Sequence, residues 1–161
     1  HSPLRVIMMG ALQRDYGMLS EIVKRCPNVH WIICRGRKNV DDLFPKAPNV
    51  ELKGFLEEDE LRHQMDITDV SLNIMEDTVG SNVITTSMAM GLAMVVSDVG
   101  SIRDYCTDDN AVFCSANMDS YIKALKFLEQ NIDDIYRMKI NSIDRVGNMG
   151  IDNINNWFSN I

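Results

Sequence analysis

The stretch TVGSNVITTSMAMGLAMVVSDVG, residues 78–100, decides the fold that this sequence predicts. Its polar opening, with Gly80, Ser81 and Asn82, is typical of a helix start, and Gly91 ends that helix before an apolar strand. A helix that begins with small polar residues leaves backbone N–H groups free, with the positive end of the helix dipole behind them. The stretch therefore predicts a helix start that binds an anionic group such as a phosphate.

Apolar runs and helical patterns alternate along the rest of the chain. Short apolar runs predict strands over residues 5–9, 29–34, 50–53, 70–74, 93–96 and 111–114. Apolar residues at helical spacing predict helices over residues 16–25, 57–65, 81–89, 121–128, 132–146 and 151–161. This order predicts an α/β fold, a doubly wound parallel sheet of about six strands with helices on both faces. Since no linker or repeat interrupts it, we expect residues 3–161 to form a single Rossmann-like domain.

Composition argues against several classes of protein. A net charge of −7 argues against nucleic-acid binding. The one cluster of basic residues, Arg35, Arg37 and Lys38, suits a single phosphate or base as well as it suits a solvated loop. No run is long enough to cross a membrane and no leader precedes the first strand, so we expect a cytoplasmic protein. The scattered cysteines and histidines lack metal-ligand spacing, and we expect no metal site.

In a parallel sheet, the loops that follow the strands meet at one edge, which predicts the ligand site. Gly54 lets the main chain face a planar base, residues 80–83 offer amides to a diphosphate, and Thr86 offers a hydroxyl to a ribose or sugar. The patterns G-x-G-x-x-G and G-x-x-x-x-G-K-[ST] are absent, which argues against a dinucleotide site and a P-loop. The predicted ligand-binding residues are Gly10, Arg35, Gly54, Phe55, Gly80, Ser81, Asn82, Val83 and Thr86.

Two longer stretches carry a resemblance to a known family. NVELKGFLEEDELRHQMDITDVSLNIM and SMAMGLAMVVSDVGSIRDY resemble the C-terminal, donor-binding half of family 4 (group 1) retaining glycosyltransferases. The second stretch is similar to the signature EAMA-G-PVV-TDVGGI-E of that family. The first strand and PNVHWIICRGR resemble the family's opening unit, so the likeness covers roughly residues 4–146.

The resemblance implies one half of a GT-B fold, with a nucleotide diphosphate sugar as donor substrate and no other cofactor. The whole protein would transfer the sugar to a glycan or lipid acceptor with retention of anomeric configuration, and would serve polysaccharide biosynthesis. The acceptor-binding N-terminal domain would be absent from this chain, so we expect the chain alone to bind a donor without turnover. The resemblance also allows the full-length protein to associate peripherally with the inner face of the membrane.

Four charged positions of the family differ here. Its paired glutamates fall on Thr78 and Thr86, and its arginine and lysine after the first strand fall on Ala11 and Tyr16. Threonine can hydrogen-bond to a sugar, but without the strength that a charge adds. Loss of the two cations would remove stabilisation of the departing diphosphate.

Charged residues close to these positions offer replacements. Arg14 can supply the missing positive charge, and Asp77 or Glu76 can take the sugar-facing role beside Thr78. The alternative is a glycosyltransferase-like domain that has lost its chemistry and serves binding or interaction, and a plain phosphate-binding domain is a third hypothesis. The predicted catalytic residues are Arg14, Asp77 and Thr78.

Overall fold

Strands and helices alternate in chain order in the computed structural model, which describes residues 3–9, 16–35, 39–76 and 82–148. The strands are β1 (Arg5–Met9), β2 (His30–Cys34), β3 (Val50–Lys53), β4 (Val70–Asn73), β5 (Ala93–Ser97) and β6 (Ala111–Cys114). The helices are α1 (Tyr16–Arg25), α2 (Glu58–Asp66), α3 (Asn82–Ala89), α4 (Met118–Gln130) and α5 (Ile132–Asn148). Single turns of 3-10 helix cover Asp41–Leu43 and Ile102–Asp104. The helix predicted for residues 151–161 lies outside the described residues.

These strands form one parallel sheet in the order β3-β2-β1-β4-β5-β6, which confirms the predicted fold class. The chain starts in the middle of the sheet, extends outward to β3, and then returns to the other side of β1 with β4. The strand order therefore reverses between β1 and β4. In sheets of this topology, ligands bind in the crevice outside the carboxyl ends of the strands at that point.

Alternate residues of each buried strand support two separate helical layers. On β1, Val6 and Met8 belong to the core beneath α1 and α4, whereas Ile7 and Met9 pack with residues of α2 and α3. Both faces of the sheet are covered, so its strands are nearly continuous apolar runs, as expected for a parallel sheet. This is why short apolar runs in the sequence predicted the strands.

Most predicted boundaries lie within two residues of the observed ones, and α4 starts three residues earlier than predicted, where Asn117 caps it. β2 begins at His30, because the Val29 N–H bonds to the Cys26 carbonyl in the preceding turn at 3.3 Å, while the His30 N–H joins the Leu4 carbonyl at 2.8 Å. α3 ends before Gly91, as predicted, and Gly91 has a φ of 75°. Only glycine adopts that backbone conformation without strain.

Across the described ranges, none of the helices combines the length and the apolar character that crossing a membrane would require.

Candidate functional site

The predicted site residues divide into those that the structure describes and those that it does not. Gly10, Arg14, Asp77, Thr78, Gly80 and Ser81 lie outside the described residues. By connectivity, the first two follow β1 and the other four lie between β4 and α3. The described members fall into two groups at the carboxyl edge of the sheet, Asn82, Val83 and Thr86 on α3, and Arg35, Gly54 and Phe55 after β2 and β3.

The first group forms the start of α3 at the reversal point of the sheet. α3 begins at Asn82, which is half-buried, and its first turn contains no acidic residue. Val83 is buried against Ile7 and Met9 of β1, so it anchors the helix start next to the central strand. The amide groups of this first turn therefore meet no carboxylate from their own helix, and the dipole there favours an anion.

In the second half of this helix, α3 and β4 meet through polar side chains. Ser71 and Ser87 share a hydrogen bond of 3.0 Å between their hydroxyl oxygens, and Asn73 Nδ2 donates to Ser71 Oγ at 3.0 Å. Thr86 is fully buried, and neither its Oγ1 nor Asn73 Oδ1 has a partner in the described part of the chain. Since a buried polar atom is usually paired, this contact holds unused hydrogen-bonding capacity. The ribose-binding role of Thr86 stays a prediction.

The second group brings a cation, a glycine and an exposed ring together. Arg35 Nε donates to Asp41 Oδ1 at 2.6 Å, and its Nη2 lies 3.4 Å from Asp41 Oδ2. The Arg35 guanidinium covers the open face of Gly54, with Nη2 3.8 Å from where a β-carbon would stand. Phe55, next in the chain, is 54% exposed. The sequence predicted that Gly54 would face a planar base, and in the structure a guanidinium occupies the space beside it.

Sequence reasoning missed Asp41, which lies in the 3-10 turn after β2. An acidic residue six positions after a predicted ligand arginine was a signal that could have indicated an ion pair. The Asp41 carboxylate offsets part of the positive electrostatic potential that Arg35 would otherwise present to a ligand. A base or phosphate bound here would meet a planar guanidinium that is already oriented.

Another ion pair holds the loop that follows β5. Arg103 Nε and Nη2 donate to the two carboxylate oxygens of Asp98 at 3.0 and 2.9 Å, and the guanidinium lies 4.0 Å from the centre of the Phe113 ring. The hydrogen bond from Arg103 lowers the pKa of Asp98. This two-point pair fixes the shape of the loop containing Gly100, whose φ is 53°. Both residues lie in the stretch that resembles the family signature, and the sequence did not indicate that they pair.

A cavity of about 540 Å³ lies at the opposite edge of the sheet. Leu4, Asn28 and Asp69 line it, and they precede β1, β2 and β4 respectively. Helical residues Leu128, Glu129 and Tyr136 contribute to its wall. Its position at the amino ends of the strands separates it from the crevice where ligands of this topology bind.

All four cysteines are buried and unpaired, so none offers a thiolate at the candidate site. Burial raises the pKa of the Cys34 thiol to about 12 and that of Cys106 to about 12. Among the residues that the structure describes, no group of three or more His, Cys, Asp or Glu side chains is placed to hold a metal ion.

Comparison with solved structures finds other proteins with the same fold. The HepE protein of Anabaena, crystallised with UDP and glucose, matches with a TM-score of 0.80 at 14% identity, over 98% of this chain and 47% of that one. Sucrose-phosphate synthase from Thermosynechococcus elongatus matches with a TM-score of 0.76 at 13% identity, over 98% and 43%. This chain thus spans less than half the length of either protein. At such identities the likeness shows the fold alone.

A third similar structure is itself a single domain. The C-terminal domain of LpcC, a glycosyl transferase group 1 family protein from Francisella tularensis, matches with a TM-score of 0.79 at 14% identity, over 94% of this chain and 89% of that one. Comparison with curated protein sequences finds no significant match. The family model for glycosyl transferases group 1 matches residues 5–131, which are most of the chain. This chain therefore belongs to the group 1 glycosyltransferases, and its α/β fold matches that of GT-B glycosyltransferases.

Proposed function

We propose that this domain binds a nucleotide diphosphate sugar, and that the complete protein transfers the sugar to a glycan or lipid acceptor with retention of anomeric configuration. The proposal rests on membership of the family and on the crevice at the carboxyl ends of β1 and β4. A protein of the same fold, HepE, has been crystallised with UDP-glucose. Because that likeness extends to the fold alone, the nucleotide and the sugar need direct measurement.

The start of α3 is the observation that carries the proposal. It lies at the reversal point of the sheet and has no acidic residue in its first turn. A diphosphate needs several donors and little nearby negative charge, and a helix start supplies both. We place the diphosphate on the backbone amides of residues 81–83.

Other predicted residues receive roles around that diphosphate. Arg14 would offset the negative charge that develops on the departing nucleotide, a role in which a cation contributes most during the transition state. Asp77 and Thr78 would accept and donate hydrogen bonds to the sugar hydroxyls, and Thr86 would face the ribose. The nucleobase would lie near Phe55 and Gly54, where the paired guanidinium of Arg35 offers a flat surface for stacking. Gly10 would permit the diphosphate to approach the end of β1 closely.

The acceptor, in this proposal, binds to a second domain of a longer protein. The similar proteins HepE and sucrose-phosphate synthase extend well beyond the part that this chain matches, and the LpcC match is a C-terminal domain. Peripheral membrane association of the full-length protein belongs to the same proposal, since a lipid acceptor would require it.

Calorimetric titration of the chain with UDP, GDP and their glucose and mannose derivatives tests donor binding. We expect one diphosphate or its sugar to bind with a 1:1 stoichiometry. Arg14→Glu should weaken that binding about tenfold or more, because it places a negative charge where the diphosphate needs a positive one.

Arg25→Glu is the matched control. It makes the same change of net charge at the other end of α1, where Arg25 is exposed at the amino edge of the sheet. Its affinity should stay close to that of the wild type. If none of the nucleotides binds at millimolar concentration, the proposal that this chain binds a donor is wrong. Equal effects of the two substitutions would remove Arg14 from the site.

A further inference from the structure

We infer that Ser97 and Tyr121 are positioning residues for the donor site, because their hydroxyls fix the backbone at the end of β4. This inference rests on the proposed function, since the segment that leaves β4 contains the residues assigned to the sugar. Ser97 lies within the stretch that resembles the family signature and Tyr121 lies outside it, and no sequence pattern indicates that the two residues meet. Their role follows from hydrogen bonds between three separate elements, β4, β5 and α4.

The Ser97 hydroxyl has three hydrogen-bond partners. The Met75 backbone N–H donates to Ser97 Oγ at 2.8 Å, and Ser97 Oγ donates to the Asn73 carbonyl at 3.2 Å. The Tyr121 hydroxyl lies 2.6 Å from the same Oγ. A serine hydroxyl has a single proton and two lone pairs. When that proton goes to the Asn73 carbonyl, the Tyr121 hydroxyl is the donor to Ser97 Oγ, and the serine oxygen uses its full hydrogen-bonding capacity.

This arrangement extends β4 beyond its ladder with β5. The ladder between the two strands ends at the Asn73 and Val96 pair. One residue further along β5, the Ser97 side chain binds the Asn73 carbonyl at the end of β4 and the Met75 amide two residues beyond it. These hydrogen bonds therefore fix the backbone conformation as far as Met75, the residue before Glu76 and Asp77 in the sequence. Any rotation of that backbone would redirect the residues that follow.

Tyr121 orients the Ser97 hydroxyl from the other layer of the molecule. Its side chain is 1% exposed and packs in the core beneath α4, where a phenylalanine would fill the same volume. Asn117 caps the start of α4 by accepting the Ser120 N–H at 2.9 Å, which fixes the turn that carries Tyr121. A phenol that donates to Ser97 Oγ directs the serine proton to the Asn73 carbonyl. The hydroxyl therefore contributes alignment rather than volume.

Because these groups are buried, water cannot replace the hydrogen bonds that the Ser97 hydroxyl makes. Ser97 and Asn73 are both at most 1% exposed, and Met75 is buried as well. Loss of the Ser97 hydroxyl would leave the Met75 N–H without its partner and away from water, which is costly enough for the backbone to move in search of another acceptor. Movement at Met75 is movement at the entrance of the proposed sugar-facing segment.

Two variants and a matched control test the inference. Ser97→Ala removes the shared hydroxyl, and Tyr121→Phe removes only the oxygen atom that orients it, so the second variant remains informative if the first fails to fold. Ser142→Ala is the control, because Ser142 is equally buried and bridges the Asn110 side chain and the Leu92 carbonyl at 3.2 and 2.7 Å. That bridge lies at the amino end of β5, away from the carboxyl edge of the sheet.

Amide hydrogen exchange without ligand is the first measurement. Exchange at Met75 and Glu76 should accelerate about tenfold or more in Ser97→Ala, and less in Tyr121→Phe, relative to core amides of the same variant. In Ser142→Ala, the exchange rate at Met75 relative to that of core amides should match the wild-type value. Unchanged relative exchange at Met75 in both Ser97→Ala and Tyr121→Phe would overturn the inference, whether or not the chain binds a nucleotide.

Nucleotide affinity is the second measurement. With the nucleotide that the wild type binds, we expect Ser97→Ala and Tyr121→Phe to raise Kd about fivefold to tenfold, and Ser142→Ala to leave it unchanged. Equal affinity of all four proteins would overturn the positioning role. If the wild type binds no nucleotide, the proposed function fails, and the exchange measurement still decides whether the two hydroxyls hold the end of β4.

Discussion

At the scale of single residues, two glycines differ in their surroundings, and we expect their replacement by alanine to change the free energy of unfolding by different amounts. Gly54→Ala should change the free energy of unfolding by less than about 1 kcal/mol, because the new β-carbon would meet Arg35 Nη2 at 3.8 Å, an ordinary contact. Gly91→Ala should cost about 1–3 kcal/mol, since a side chain at a φ of 75° is strained. Its β-carbon would also stand 3.0 Å from Ile143 Cδ1. Urea unfolding of both variants measures the difference.

The two glycines serve as controls for each other, because each substitution adds the same methyl group. A loss at Gly54 as large as that at Gly91 would contradict the account. Gly54→Ala has a further use, since it changes the surface beside the proposed nucleobase position without removing the Arg35 ion pair. Its nucleotide affinity can therefore be interpreted without a correction for unfolding.

Single residues also show where sequence-based prediction ends. That Gly91 would end α3 could be predicted, because the need for a positive φ after a helix is local. The position of Arg35 against Gly54 joins the ends of two strands, and no local pattern encodes it. The same holds for Ser97 and Tyr121, which are 24 residues apart in sequence and 2.6 Å apart in space. Sequence reasoning predicted which edge of the sheet holds the candidate site, but it predicted none of the contacts observed there.

At the scale of secondary structure elements, α5 has one buried and one exposed face. Ile135 is 4% exposed and Ile140 is 60% exposed. Ile135→Ala should therefore cost about 2–4 kcal/mol of unfolding free energy, and Ile140→Ala should change it by less than about 0.5 kcal/mol. Both substitutions remove the same atoms from the same helix, so unfolding measurements compare burial directly. A similar loss at both positions would mean that the outer face of α5 is covered in solution.

The elements were the most predictable part of this chain. β1 and α1 have their predicted bounds, because apolar runs ended by glycine or polar residues encode buried parallel strands, and apolar residues at helical spacing encode the helices between them. The predicted parallel sheet followed from the alternation of the two patterns. The exposed apolar residues of α5 could not be assigned from sequence, since the periodic pattern alone does not say which isoleucines meet the core.

At the scale of the whole molecule, the chain should bind its donor without turning it over. The proposed donor site lies at one edge of one sheet, and the acceptor would come from a second domain. We expect saturating donor sugar to release no nucleotide diphosphate over hours in an assay of product, although calorimetry detects binding. Joining the chain to an acceptor domain of its own full-length protein should restore release. Turnover by this chain alone would contradict the two-domain proposal.

The distribution of cysteines allows a test of cooperativity. The buried apolar side chains of the described residues pack in three clusters, and each cluster contains a buried thiol. Cys26 and Cys114 pack with Val6 and Met8, Cys34 packs with Ile7 and Met9, and Cys106 packs with Met88 and Met94. If the domain unfolds as one unit, a thiol reagent at pH 8 in intermediate urea should label all four at a common rate that follows global unfolding. Mass spectrometry of labelled peptides gives the individual rates. Faster labelling of one cysteine would show that its cluster opens separately.

Those thiols also make the stability of the domain depend on alkaline pH. Burial raises the pKa of Cys34 from 9.0 to about 12. The nearby charge of Lys53 lowers this pKa by a smaller amount, and that of Glu51 raises it slightly. The unfolded chain therefore releases the proton near pH 9, whereas the folded chain retains it. The stability from this thiol is fully present below pH 9 and is lost progressively as pH rises toward the folded pKa, with a slope of at most about 1.4 kcal/mol per pH unit.

Cys34→Ala isolates this contribution, because alanine has nothing to ionise. In urea unfolding between pH 8 and 10.5, the free energy of unfolding should decline less steeply with pH in the variant than in the wild type. The two slopes should differ by at most about 1.4 kcal/mol per pH unit. Val23→Ala is the control, since it also truncates a buried side chain but removes no titratable group. It should lower the stability equally at every pH and leave the decline parallel to that of the wild type. A Cys34→Ala curve parallel to the wild type would instead mean that the thiol ionises equally easily in the folded and unfolded chains.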